Sequence, residues 1–311
     1  MSDSTGPPRV GGLVSSTAVV APRARIIDRG YRRYTGPRTG VSGAMRTVVR
    51  QSIQRSLGLR RSPWAKILPI ATVLISYVPA IVFIGQVALI PEEELTGLTL
   101  PTYGEYFPFI QAALVLFISF VGPEVLCTDR RTGMLGLYLA GPLDRGRYLL
   151  AKAAAVLGVM LLMTLAPPLF LMIAYAVEGL GPSATELPGL ALRIVVTGLS
   201  VAVLFGAVGL GAASLTARKA IAGVLVALLV LVPGIVAEIA IESGGAPDAL
   251  SLLGLLNLPT ELALRVFGED PSEGAAIGRV STALVVAGVA AWTAAGAAVT
   301  WLSYRRIEAR S

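Results

Sequence analysis

The sequence predicts an all-α polytopic membrane protein with six transmembrane helices, and three observations carry that prediction. Of its 311 residues, 54% are hydrophobic and only 14% charged, where soluble domains carry about 25% charged residues. The mean hydropathy is correspondingly high, at +0.73. The apolar residues gather in runs of about 20 or more, enough to cross roughly 30 Å of hydrocarbon at 1.5 Å per residue. Between those runs, basic and acidic connections alternate without a break.

Residues 1–41 hold Pro7, Pro8, Pro22 and Pro37 among many Gly, Ser and Thr. Such a stretch buries too little apolar surface to fold and predicts a disordered cytosolic tail. Over 42–66, Met45, Val48, Val49, Ile53 and Leu57 recur at helical spacing, with Arg46, Arg50, Arg55, Arg60 and Arg61 between them. This pattern predicts a basic amphipathic helix at the inner membrane surface. A helix packed on a protein partner would share it.

A transmembrane domain is expected over 67–306, with spans at about 67–90, 106–127, 149–177, 192–215, 220–241 and 280–304. Pro167 and Pro168 fall inside the third span and predict a kink, because they remove backbone donors. Before the last span, Ala249–Leu258 and Glu261–Phe267 are apolar but too short to cross. Joined at Asn257-Leu258-Pro259, they predict a re-entrant hairpin, with a small amphipathic surface helix as the alternative. Gly198, Ala202 and Gly206 on the fourth span, and Ala287, Ala291 and Ala295 on the sixth, form stripes of small residues that suit close helix approach.

The connections set the expected orientation. The stretch 91–105 holds Glu92, Glu93, Glu94 and Glu105 and no basic residue, whereas 128–148 holds Arg130, Arg131, Arg145 and Arg147. All basic residues except Arg193, Arg265 and Arg279 fall on one side. The positive-inside rule places that side, and both termini, in the cytoplasm. The Arg, Ala and Gly bias fits a GC-rich bacterial genome, so the expected location is a bacterial inner membrane.

Several chemistries are excluded or disfavoured. A sequence pI near 9.8 suits nucleic acid, but here the positive charges flank apolar runs, so no nucleic-acid partner is expected. With no histidine and the single cysteine Cys127, zinc chemistry and an internal disulfide are not expected. The lysines are Lys66, Lys152 and Lys219, and none follows a glycine. A phosphate-binding P-loop of the Gly-Lys-Ser/Thr type is therefore absent. No catalytic, cofactor or metal residue is identified. Two carboxylates, Glu124 and Glu238, touch the spans; intramembrane carboxylates are expensive and often functional, although the interface region reduces that penalty.

The segment Pro123–Lys152 is the most structured connection. Met134, Leu135, Leu137, Tyr138 and Leu139 predict a short apolar helix between Thr132-Gly133 and the stop Gly141-Pro142. An exposed helix fixed between turns is a docking element for a groove in a soluble partner, or alternatively lies flat on the bilayer.

This segment resembles the signature of ABC-2 type transporter permeases. Glu124, Arg130, Arg131, Gly133, Leu135, Leu139, Gly141, Pro142, Arg145 and Lys152 match it in order. Asp129-Arg130-Arg131-Thr132 departs from the Glu-Arg usual before the glycine, and Ala151 stands where the lysine is usually preceded by Gly. The resemblance covers about residues 42–306. It implies a permease subunit of an ABC exporter in which 134–140 is a coupling helix on a separate ATPase subunit. It further implies a second permease copy or a sister permease, contact with membrane lipids, and no cofactor of its own, ATP being bound by the partner. Two other classes remain: an intramembrane lipid-modifying enzyme, and a membrane assembly protein that transports nothing.

Overall fold

A computed structural model describes residue 36 and residues 40–59, 62–89, 102–179 and 181–307. The chain divides into residues 1–38 and residues 39–311, and the elements below all belong to the second unit. The expectations for nearly all of the tail 1–41, for Arg60, Arg61 and Arg310, and for the acidic stretch 91–101 lie outside the described residues.

Among the described residues the regular elements are all helical. They are α1 (Gly40–Ser56), α2 (Pro63–Leu89), α3 (Tyr106–Phe120), α4 (Gly122–Arg131), α5 (Met134–Leu139), α6 (Arg145–Thr164), α7 (Ala166–Val177), α8 (Leu187–Ser214), α9 (Lys219–Gly244), α10 (Asn257–Phe267) and α11 (Thr282–Ile307), with 3-10 turns at Asp248–Leu253 and Ala276–Arg279. Taking α3 with α4 and α6 with α7, six helices are long and apolar enough to cross a membrane. The chain is therefore a membrane-embedded helical protein.

Two of the spans are broken, and both breaks follow from proline. Pro167 and Pro168 open α7, and Leu165 forms the joint with α6. The missing N–H groups are harmless in a first turn, where they would lack helical partners anyway. Pro123 acts in the same way at the start of α4. The second span therefore does not end at residue 127 but continues to Arg131. Asp129, Arg130 and Arg131 are helix residues rather than loop residues, which decides what they touch.

The core runs along α3, α4, α6 and α8, through side chains such as Phe117, Leu126, Met160 and Phe205. Helices α8 and α11 approach closely enough to bring main chain against main chain. A Cβ added at Gly296 would lie 2.5 Å from the Ala207 carbonyl oxygen, and one at Gly211 would lie 3.0 Å from that of Gly296. Within the single chain, Ala287, Ala291 and Ala295 are exposed, while the neighbouring face with Gly296 and Thr300 is buried. On α8, Gly198 admits Leu165 and the Thr164 carbonyl, so it seats the break in the third span.

The stretch before the last span is ordered by polar contacts. α10 begins at Asn257 and includes Pro259 in its first turn, so the joint lies before Asn257 and not at 257–259. Fully buried Glu261 pairs with Arg265 at 2.7 Å and accepts from the Ser272 backbone N–H at 3.2 Å. Trp292 of α11 donates to the Leu252 carbonyl at 3.1 Å. Leu258, Leu262, Ile277, Val280 and Val285 make a second apolar cluster beneath these contacts.

Candidate functional site

The end of the bundle that carries the matched segment is built around one carboxylate. Asp129, in the last turn of α4, is fully buried. Its Oδ1 meets the Arg55 guanidinium of α1 at 2.5 Å. Its Oδ2 meets Lys152 Nζ of α6 at 2.6 Å and accepts from the Tyr148 hydroxyl at 3.0 Å. One side chain thus joins three helices. Lys152 is 2% exposed and also donates to Ser52 Oγ at 2.9 Å. Its ammonium faces the Tyr148 and Tyr138 rings at 5.5 and 5.8 Å, where ring faces attract a cation. Tyr148 in turn packs on Tyr304 of α11, with ring centroids 6.1 Å apart.

The electrostatics follow from burial. A charge taken out of water is costly unless it is paired and hydrogen-bonded. Burial alone would lower the Arg55 pKa, but the hydrogen bond and charge of Asp129 outweigh it and raise it instead. Burial, reinforced by the negative charge of Asp129, raises the Tyr138 hydroxyl pKa. Both groups hold their neutral-pH charge states, guanidinium and phenol.

A second ion pair lies beside the first. Glu124 is 7% exposed and forms an ion pair with Lys219, the first residue of α9. Together with Arg131 they line a small cavity of about 170 Å³. Arg130 turns to the α8 end, donating to the Ser214 carbonyl at 2.5 Å, and its guanidinium lies 5.9 Å from the Tyr304 ring centroid. These contacts tie the end of the second span to the ends of the fourth, fifth and sixth.

Between α4 and α6 stands α5. Gly133 precedes it with φ +71°, a left-handed conformation that favours glycine. Asp144 opens α6 by accepting from the Arg147 backbone N–H at 2.8 Å, an N-cap geometry. Within α5, Leu135 and Leu139 are half-buried, and Leu135 packs against the main core. Leu137 is 68% exposed, so it is the outward apolar side chain of this helix. Gly141 and Pro142 are exposed and Arg145 is half-buried.

Of the matched residues, the structure therefore brings Lys152 into the Asp129 cluster and Glu124 and Arg130 beside it. Gly133, Leu135, Leu139, Gly141, Pro142, Arg131 and Arg145 frame the exposed turn. Sequence reasoning missed Asp129, Arg55, Ser52, Tyr148 and Lys219 as site residues. One signal was present: a lysine inside an apolar helix demands a counter-ion, and few carboxylates lie near that end. No family model matches the chain, and no curated protein matches it.

Proposed function

We propose that the chain is the permease subunit of an ATP-driven transporter of the ABC-2 type, an exporter whose ATPase is a separate protein. The observation that carries the reading is the build of Pro123–Lys152. An exposed apolar helix, α5, hangs between two helices, and these meet at Asp129 just behind it. A push on α5 reaches the second and third spans through the chain itself and reaches α1 through Arg55. That is the linkage a coupling helix needs. In this reading the Asp129 end faces the cytoplasm, α1 lies at the inner membrane surface, and the 3-10 turn with α10 forms a re-entrant cap on the outer side. The apolar faces of α2 and α9, which are largely exposed, meet lipid and a second copy or a sister permease.

The test is a mild-detergent pull-down of the tagged chain from its native membrane, with partners identified by mass spectrometry. The expected result is a stoichiometric P-loop protein that is lost from Leu137→Asp, while that variant keeps its fold and membrane insertion. No P-loop protein, under conditions that preserve other membrane complexes, would overturn the reading in favour of a lipid enzyme or an assembly factor.

A further inference from the structure

The opposite end of the bundle holds a second site that the coupling argument leaves unused. A cavity of about 630 Å³ opens there, within the size range of small-molecule sites. Its wall is aromatic. Tyr103 stacks on Phe267 with ring centroids 6.0 Å apart and an interplanar angle of 22°, and meets Tyr175 edge-on at 6.2 Å. The same cavity is lined by two carboxylates, Glu186 and Glu269, and by Arg193.

The framework of this wall is specified closely. Gly268 ends α10 with φ +75°. The Glu269 backbone N–H returns to the Leu264 carbonyl at 2.8 Å, closing a Schellman turn. The Glu269 carboxylate is thereby directed to the start of the second span, where it accepts from the Thr102 hydroxyl at 2.7 Å and the Gly104 N–H at 3.0 Å. A Cβ at residue 104 would fall 2.3 Å from that carboxylate, so glycine is what admits it.

Two features point to a ligand. The Tyr103 and Tyr175 hydroxyls are buried and have no hydrogen-bond partner among the described residues, and Tyr175 is 6% exposed. Buried hydroxyls are normally satisfied, so two on one cavity wall mark a place where a partner binds. Burial, helped by Tyr175, pushes the Tyr103 hydroxyl up to about 12, so it remains a donor. The charges choose the sign of that partner. Arg193 gives a guanidinium hydrogen to the Phe267 carbonyl at 2.9 Å, and two carboxylates stand against that one cation. Aromatic faces and carboxylates together favour an organic cation.

We infer that the cavity lined by Tyr103, Tyr175, Phe267, Glu186 and Glu269 binds a small organic ammonium that carries a hydrogen-bonding oxygen. The cavity lies at the level of the span ends: just before α3, in the last turn of α7 and at the start of α8. Lipid headgroups sit at that level. An ammonium there comes either from a headgroup or from a free compound, and the inference does not depend on the transporter reading.

The test uses the purified chain in nanodiscs of phosphatidylglycerol, which has no ammonium, with choline and tetramethylammonium as probes in saturation-transfer NMR. Choline is expected to bind several-fold tighter than tetramethylammonium. Tyr175→Phe should erase that preference, a three- to tenfold loss for choline, and Tyr103→Leu and Glu186→Gln should weaken both cations. An unchanged unfolding temperature excludes collapse of the site. Loss of the choline signal in phosphatidylcholine nanodiscs would support the site and identify a headgroup as its source; an unchanged signal would support a free ammonium. Absence of binding by either cation, binding of acetate in their place, or equal affinities untouched by Tyr175→Phe would each overturn the inference.

Discussion

At the scale of single residues, Asp129 outweighs every other charged group at its end of the bundle. Its substitution by Asn would leave the Arg55 and Lys152 cations facing each other in a buried site. Breaking a buried pair from one side costs about 3–5 kcal/mol, and Asp129→Asn is expected to lose stability in that range. Lys152→Met should cost less than half as much, because Asp129 keeps Arg55 and Tyr148. Chemical denaturation in detergent, followed by tryptophan fluorescence, checks both. Equal losses would mean that Lys152, not Asp129, organises the cluster. Asp129 was overlooked in the sequence because it lies among arginines, where a carboxylate passes for a solvated loop residue. Only the extension of the helix to Arg131 turns it inward.

At the scale of elements, proline and glycine decide where helices bend and where they touch. The break in the third span was legible, since two adjacent prolines admit few other outcomes. The face by which the sixth span packs within the chain was not. Ala287, Ala291 and Ala295 share the spacing of a packing face, but a run rich in Ala and Gly offers several such faces, and sequence periodicity ranks none of them. The backbone contact between Gly296 and Ala207 selects one. Gly296→Ala would place a methyl 2.5 Å from the Ala207 carbonyl oxygen, where both neighbours are main chain and neither yields cheaply. A loss of about 1–3 kcal/mol is expected, whereas Ala291→Leu, on the exposed face, should stay within about 0.5 kcal/mol. Unfolding of the two variants side by side measures the difference; a reversed order would mean that the sixth span packs through its other face.

At the scale of the whole molecule, six apolar runs were enough to read the architecture, because hydrocarbon thickness fixes the length of a span. The connections were harder. Their order rests on long-range polar pairs such as Arg279–Asp248, Glu269–Thr102 and Trp292–Leu252, and no local pattern announces these. The orientation proposed from the charge bias has a direct check. Cys127 is buried, so a polar maleimide finds little background in the native chain. Glu273→Cys is expected to label in intact cells, and Gly141→Cys only after the membrane is opened. The opposite pattern would invert the orientation, and labelling of both in intact cells would overturn the six-span topology.

The order of the charged partners along the chain has a consequence for biosynthesis. Arg55 is translated first, Asp129 next and Lys152 last. When the acidic residue leaves the ribosome, a cation for it already exists, and when the lysine follows, its counter-ion is waiting. Neither ion needs to enter the bilayer alone at any stage of insertion. Exchanging Asp129 and Lys152 in an Arg55→Gln background would keep an Asp–Lys pair without setting a lysine against Arg55, and would reverse that schedule relative to the Arg55→Gln parent. Pulse-labelling of nascent chains is expected to show slower membrane integration of the exchanged protein, and equal rates would show that the order of synthesis is immaterial.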